Sequence, residues 1–147
     1  MHHLQVQHKR NKGWYDQARL TAAVQQYEES RIDRTRNNLN RNQQSETVDA
    51  ISINADANRT LGKGKLYYGA EYVWNKVGST GLRTNINTGT STPFVSRYPN
   101  GSTWSTSGIY ASYKINVRPK LTLTGGLRYS YNTLNATFDT SFIKFPY

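Results

Sequence analysis

Three histidines, His2, His3 and His8, and two neighbouring glutamates, Glu28 and Glu29, are the obvious places to look for metal or proton chemistry in this 147-residue chain. The spacing argues against both. Adjacent residues on an extended backbone point to opposite faces, so His2 and His3 cannot clamp one ion. The end of a strand, or the remnant of a purification tag, accounts for them as well. All three histidines lie within the first eight residues, away from any serine or aspartate set out as a triad. Glu28 and Glu29 face apart on a strand and cannot act as the paired acid and base of glycoside hydrolysis. Gly62 and Gly64 flank Lys63 in GKGK, but the strand-loop-helix setting of a phosphate loop is missing. The absence of cysteine removes disulfides, thiolate metal sites and cysteine nucleophiles together. The sequence therefore predicts no enzyme, no metal centre and no cofactor. What remains is recognition, with two groups of candidates. Tyr67, Glu71, Arg128 and Ser130 alternate with apolar residues on two ribbons, and Arg97, Tyr98, Asn100 and Trp104 lie in a polar stretch between them.

Those ribbons are residues 64–75, GKLYYGAEYVWN, and residues 121–132, LTLTGGLRYSYN. Leu66, Tyr68, Ala70, Tyr72 and Trp74 share one side of the first, opposed by Lys65, Tyr67, Gly69, Glu71 and Asn75. Leu121, Leu123, Gly125, Leu127, Tyr129 and Tyr131 share one side of the second, opposed by Thr122, Thr124, Gly126, Arg128, Ser130 and Asn132. A period of two over this length specifies a strand with one apolar and one polar face. At about 3.3 Å per residue, the run from Leu66 to Trp74 extends roughly 26 Å. Tilted by about 40°, it covers roughly 20 Å, close to the apolar band around an outer-membrane barrel. The aromatic residues gather toward one end of each run, where an interfacial girdle would place them. Strands of soluble sandwiches are usually about five or six residues long. Length favours the membrane.

Composition allows this. The chain is 35% hydrophobic, and no run approaches the roughly 20 apolar residues of a spanning helix. A barrel is exempt, because alternate residues face an aqueous lumen. The net charge of +10 raises nucleic acid as a partner. The charges are dispersed instead of forming a stripe, however, as strand-end and loop charges are. Met1 is followed by HHLQVQHK, without the apolar stretch of a secretory signal, so the sequence is expected to be an internal piece of a longer chain.

In chain order, Leu4, Val6 and His8 alternate in a short strand that ends at KRNKG. Residues 14–36 carry a helical stripe (Leu20, Ala23, Val24, Tyr27) and helix-favouring composition, but also read as a strand with Leu20, Ala22 and Val24 on one face. The neighbouring strands require a partner of this length, which selects the strand. Residues 35–45 are polar and Asn-rich, and are expected to form a loop. Asp49, Ile51, Ile53, Ala55 and Ala57 share the face of the next strand, and NRTLGKGK reverses into the first ribbon. Residues 76–102, rich in Gly, Thr, Asn and Ser, are expected to be a long loop with a small hairpin near Asn85–Gly89. Ile109, Ala111, Tyr113 and Ile115 mark a further strand, reversed at Pro119. The text becomes loop-like again from Leu134. Reversals therefore alternate short and long, as in outer-membrane barrels with tight periplasmic turns and longer external loops.

NADANRTLGKGKLYYGAEYVWNKV and RYPNGSTWSTSGIYASYKINVRPKLTLTGGLRYSYN, with the leading strand-loop-strand, resemble the barrel of a TonB-dependent outer-membrane receptor of the Bacteroidetes type. The resemblance covers nearly all of residues 1–147. It implies an all-β, antiparallel up-and-down meander of about six strands, an open sheet in isolation, cut from a 22-stranded barrel of the cell outer membrane. It implies import of a siderophore, haem, cobalamin or glycan, powered by the TonB complex. The family's plug domain and TonB box are expected to lie outside this stretch. The implied partners are outer-membrane lipid, the rest of the barrel and plug, the TonB complex and a small-molecule or glycan substrate, with no nucleic acid. Tyr67, Glu71, Arg128 and Ser130 would then face the lumen, and Arg97, Tyr98, Asn100 and Trp104 would lie in extracellular loops. The competing reading is a soluble β-rich module, either adhesin- or lectin-like or binding single-stranded nucleic acid.

Overall fold

Valine, isoleucine, threonine and tyrosine at alternate positions favour pleated backbone over helix, and most of the described residues adopt it. The structure, a computed structural model, describes residues 1–10 and 13–140. It contains seven strands: β1 (His2–Lys9), β2 (Gln17–Asp33), β3 (Asn40–Leu61), β4 (Gly64–Asn85), β5 (Ser91–Pro93), β6 (Ser102–Arg118) and β7 (Leu121–Asn135). They form one sheet in the order β1-β2-β3-β4-β6-β7, with the three-residue β5 hydrogen-bonded to β4 beside that path. Each long strand pairs with its sequence neighbour, as a meander requires. The expected six-strand path is present. β5 is an addition, set antiparallel to the end of β4 with Leu82 opposite Pro93.

Residues 17–33 are strand, and the helical alternative for that stretch is set aside. His2 lies opposite Val24, Val6 opposite Leu20 and His8 opposite Ala18. This register stacks Leu4, Val6, Leu20 and Ala22 on one face. Helix propensity loses here to a ladder in which β2 pairs with β3 along one side and, over residues 17–24, with β1 along the other.

Two expectations are corrected. The proposed loop over residues 76–102 is mostly strand: β4 continues to Asn85, and the irregular connections are only residues 86–90 and 94–101. The proposed loop over residues 35–45 shrinks to 34–39, because β3 begins at Asn40. The 34–39 connection is therefore no longer than that over 10–16, and the contrast of short and long reversals holds only from β3 onward. In both places the strand continues where neither face is apolar, so the ladder persists without a hydrophobic period. The KRNKG turn is described except for Asn11 and Lys12. The closing FIKFPY lies outside the described residues.

Contacts divide the chain into two units. One comprises Met1–Val24, Ile51–Trp74 and Ser105–Thr133. It contains the tight reversals at Gly62–Lys63 and Pro119–Lys120, and the turn over 10–16, whose ends are tied by Arg10 N to Asp16 O at 2.8 Å. The other comprises Gln25–Ala50, Asn75–Trp104 and Leu134–Tyr147, and contains the connections over 34–39, 86–90 and 94–101.

The first unit is inside-out by the standards of a soluble sheet. On β3, Ile51, Ile53 and Ala55 are exposed, whereas Ser52, Asn54 and Asp56 are half-buried. On β4, Ala70 and Tyr72 are exposed and Glu71 half-buried. On β6, Ile109 and Ala111 are exposed while Tyr110 and Ser112 are covered. Leu127 is 87% exposed. Among the described residues, Ala57 is the one buried hydrophobic. A water-soluble sandwich cannot be assembled from this, since its stability rests on apolar faces packed against each other. The dry face requires an apolar medium.

Candidate functional site

The better-covered polar face of the first unit holds the chemistry. Alternation places Arg19 of β2, Asp56 of β3, Glu71 of β4, Tyr110 of β6, and Arg128 and Ser130 of β7 on it. Arg19 Nη2 lies 3.2 Å from Asp56 Oδ2. The Tyr110 hydroxyl donates to the other oxygen of that carboxylate, Asp56 Oδ1. Arg128 Nη2 pairs with Glu71 Oε1, and Arg128 Nε donates to Ser130 Oγ at 2.9 Å. The Arg128 guanidinium also sits 5.9 Å from the centre of the Tyr110 ring, within cation–π range. The two clusters thus meet at Tyr110, and together they cross five strands.

Two glycines make room for these long side chains. A Cβ at Gly69 would stand 2.5 Å from the Tyr110 hydroxyl oxygen and 2.6 Å from the Ala55 carbonyl oxygen. Tyr110 therefore crosses β4 at a position that has no side chain, Gly69, and reaches Asp56 beyond it. A Cβ at Gly108 would come within 2.8 Å of Arg128 Nη2 and 3.2 Å of Glu71 Cγ, so the second ion pair crosses β6 in the same way. Both ion pairs are partly exposed. Such pairs add little stability in water. Their effect is to hold donors and acceptors of alternating charge at fixed positions, a surface suited to a polar solute or another polar protein surface.

Of the four residues expected on this face, Glu71, Arg128 and Ser130 come together directly. Tyr67 does not touch them. It faces the Lys65 ammonium, 5.6 Å from its ring centre, and helps line a recess of about 200 Å³ with Gln17, Arg19, Asp56 and Tyr110. Arg19, Asp56 and Tyr110 were not singled out from sequence. Gly69 and Gly108, which interrupt runs of bulkier residues, were the available signal.

The other candidates lie in the second unit. Arg97, Tyr98 and Asn100 belong to the 94–101 loop, which is firmly attached. Arg97 Nη1 lies 3.8 Å from Glu29 Oε1, and its guanidinium is 5.5 Å from the Tyr98 ring centre. Tyr98 N donates to Ser79 Oγ at 3.3 Å, and Asn100 Oδ1 accepts from Ser79 N at 3.0 Å. Trp104, expected in the loop, is instead a strand residue of β6, where the ladder has already resumed at Ser102. Its carbonyl accepts a hydrogen bond from Asn75 Nδ2 at 3.5 Å, and its ring is exposed. His2 and His3 occupy successive positions of β1, paired with Val24 and Ala23.

A profile of the outer membrane protein beta-barrel family matches residues 2–146. Among solved structures, the chain is similar to one titled "Copper transporter OprC", with a TM-score of 0.75 and 12% sequence identity. The alignment covers 91% of this chain and 22% of that one, so the chain spans about a fifth of the length of that protein. A search of curated proteins found no match.

Proposed function

The chain belongs to the outer membrane protein beta-barrel family, and from that premise we propose that it is a section of the wall of an active-transport receptor of the TonB-dependent, Bacteroidetes type. The receptor binds a scarce nutrient (a siderophore, haem, cobalamin or a glycan) and imports it with energy from the TonB complex. The inside-out alternation carries this reading. Apolar residues face outward to lipid, and the charge-paired row from Arg19 to Ser130 faces a wet interior. Likeness to a copper transporter supports the fold of such a wall. The unpaired edges of β1 and β7 are where further strands of the same barrel attach, since a barrel must close to remove its edges. A plug segment and a TonB-contacting segment are assigned to the rest of the polypeptide.

In this role Tyr67, Glu71, Arg128 and Ser130, joined by Arg19, Asp56 and Tyr110, line the lumen and contact the plug or passing solute. Arg97, Tyr98 and Asn100 meet solute from outside. The function is recognition and transport, not bond-making. An uptake assay tests it. Cells producing the full-length protein are compared with a deletion strain for uptake of each nutrient class, with the TonB complex present and disabled. The reading predicts uptake of one class that needs both the protein and TonB. Uptake that persists without TonB would mean a passive channel and contradict the proposal.

A further inference from the structure

The dry face of the first unit carries a groove of about 510 Å³ across β1, β2, β3 and β4, within the size range of clefts that bury a ligand. Ala18 of β2, Ala55 and Ala57 of β3 and Ala70 of β4 form its floor. Val6 and Leu20 stand along one side of it and Tyr68 along the other. Ile51, Ile53 and Tyr72 project from the same face of β3 and β4, so the hollow is local to the alanines. The sheet is one layer thick, and Arg19, Asp56, Gly69 and Tyr110 of the wet face border the groove as well.

The 10–16 connection walls the groove at its turn end. The Trp14 carbonyl accepts the Tyr68 hydroxyl at 2.6 Å, and the two ring centres are 6.3 Å apart. Asp16 N donates to Asn58 O at 2.7 Å and Asp16 Oδ2 accepts Thr60 N at 2.6 Å, which fastens the connection to β3. Trp14 is held in this way and is still 62% exposed. Amphipathic rings so placed suit the boundary between hydrocarbon and headgroups.

The charge at this end is strongly positive. Residues 9–17 and 57–66 contain Lys9, Arg10, Lys12, Arg59, Lys63 and Lys65 against the single carboxylate of Asp16. Lys9, Arg10 and Lys65 line a recess with Asp16, Gln17 and Asn58. Asn58 also shares a recess with Arg19, Asp56 and Tyr110, which places it on the wet face. Arg59, the next residue, therefore falls on the dry face, in the row of Ile51, Ile53, Ala55 and Ala57. It is half-buried, and none of the three ion pairs among the described residues includes it. A hydrocarbon groove that ends at such an arginine fits an amphiphile with an anionic head. A free phosphate would gain nothing from the alanines. Guanidinium matches phosphate oxygens in geometry, and basic sites at a membrane surface select anionic headgroups.

We propose that the groove is a fixed lipid site: one acyl chain of an anionic phospholipid lies along the four alanines against Trp14 and Tyr68, and Arg59 holds its phosphate. The proposal rests on the reading of the sheet as a barrel wall. Tight turns of such walls are periplasmic, which assigns the lipid to the periplasmic leaflet.

Photolabelling tests it on the full-length protein in phosphatidylcholine nanodiscs. Each nanodisc sample carries a trace of a phospholipid with a diazirine on one acyl chain and either a phosphatidylglycerol or a phosphatidylcholine head. Mass spectrometry of peptides locates the label. The phosphatidylglycerol probe should label residues 14–20, 55–57 and 68–70 about fivefold more than the phosphatidylcholine probe, whereas both should label Leu123 and Leu127 equally. Arg59→Gln should bring the two probes level in the groove. Ala55→Leu, an apolar change at an exposed position, should fill the groove and abolish its excess labelling even if Arg59→Gln does not accumulate. Equal labelling of the wild-type groove by both probes would overturn the proposal, as would an unchanged preference in either variant. Label spread evenly over the groove, Leu123 and Leu127 would overturn the site and leave the wall standing. Label absent from all of these residues would contradict the wall as well.

Discussion

Asp16 shows how a single carboxylate fastens a turn. It is the last residue of the 10–16 connection, outside the strands, and its Oδ2 accepts the Thr60 amide at 2.6 Å. Hydrogen bonds from the Thr60 hydroxyl and amide hold its carboxyl below the usual range, with Arg59 and Lys65 adding smaller charge effects. A carboxylate lowered on folding contributes stability that is complete above its unfolded value, about 3.9, and is lost as pH falls through the lower folded value. Protection of the Thr60 amide, corrected for intrinsic exchange, should therefore stay level from neutral pH down to about 5 and fall below about 4. Asp16→Asn should show weaker protection without that step. Two neighbours on β7 give a sharper contrast. Leu127→Arg places a charge on the dry face and should cost about 2–4 kcal/mol of folding in a bilayer if the site lies near mid-depth. Arg128→Gln breaks the pair with Glu71 on the wet face and should leave insertion unchanged. Urea unfolding in vesicles measures both, and equal effects would invalidate the facing of β7.

For single elements, the crossing of β4 by Tyr110 ties three strands together through one missing side chain. Gly69→Val would collide with the Tyr110 hydroxyl and the Ala55 carbonyl. Overpacking of this kind typically costs about 1–3 kcal/mol. Because the damage passes through the Tyr110–Asp56 bond, Gly69→Val combined with Tyr110→Phe should destabilise less than the two changes summed, a deviation that a double-mutant cycle detects. The same crossing marks the limit of what sequence conveys. The strands were legible wherever one face was apolar, as at Leu66, Tyr68, Ala70 and Tyr72, because water and lipid impose a period of two. Residues 76–85 and 40–45 were taken for loop because both faces are polar and no period survives. Glu71, Arg128 and Ser130 could be assigned to a face by counting. Their joining through Arg128, and the inclusion of Arg19, Asp56 and Tyr110, depend on register and on side-chain reach across neighbouring strands, which alternation alone does not encode. Trp104 was misplaced for the simpler reason that it was grouped with the polar loop it follows, although it lies past residue 102, where the ladder resumes.

Among the described residues the strands hydrogen-bond in one order, with β1 and β7 at its two ends and every residue of both exposed. Exposed strand edges recruit other strands. Residues 1–147 expressed alone should therefore aggregate, whereas the full-length protein in detergent should run as a compact, heat-modifiable barrel on a gel. A monodisperse, detergent-free product from residues 1–147 would favour a soluble module instead. The central claim, that successive residues meet lipid and water in turn, can be measured directly. These 147 residues contain no cysteine, so single cysteines can be introduced one at a time at positions 121–131 of the full-length protein in vesicles and spin-labelled. Collision with oxygen reports lipid, and collision with a water-soluble nickel complex reports the aqueous face. The account predicts a period of two, with oxygen favoured at Leu123, Leu127 and Tyr129 and nickel favoured at Thr124, Arg128 and Ser130. Accessibility that is uniform along β7, or that alternates in the opposite phase, would contradict it.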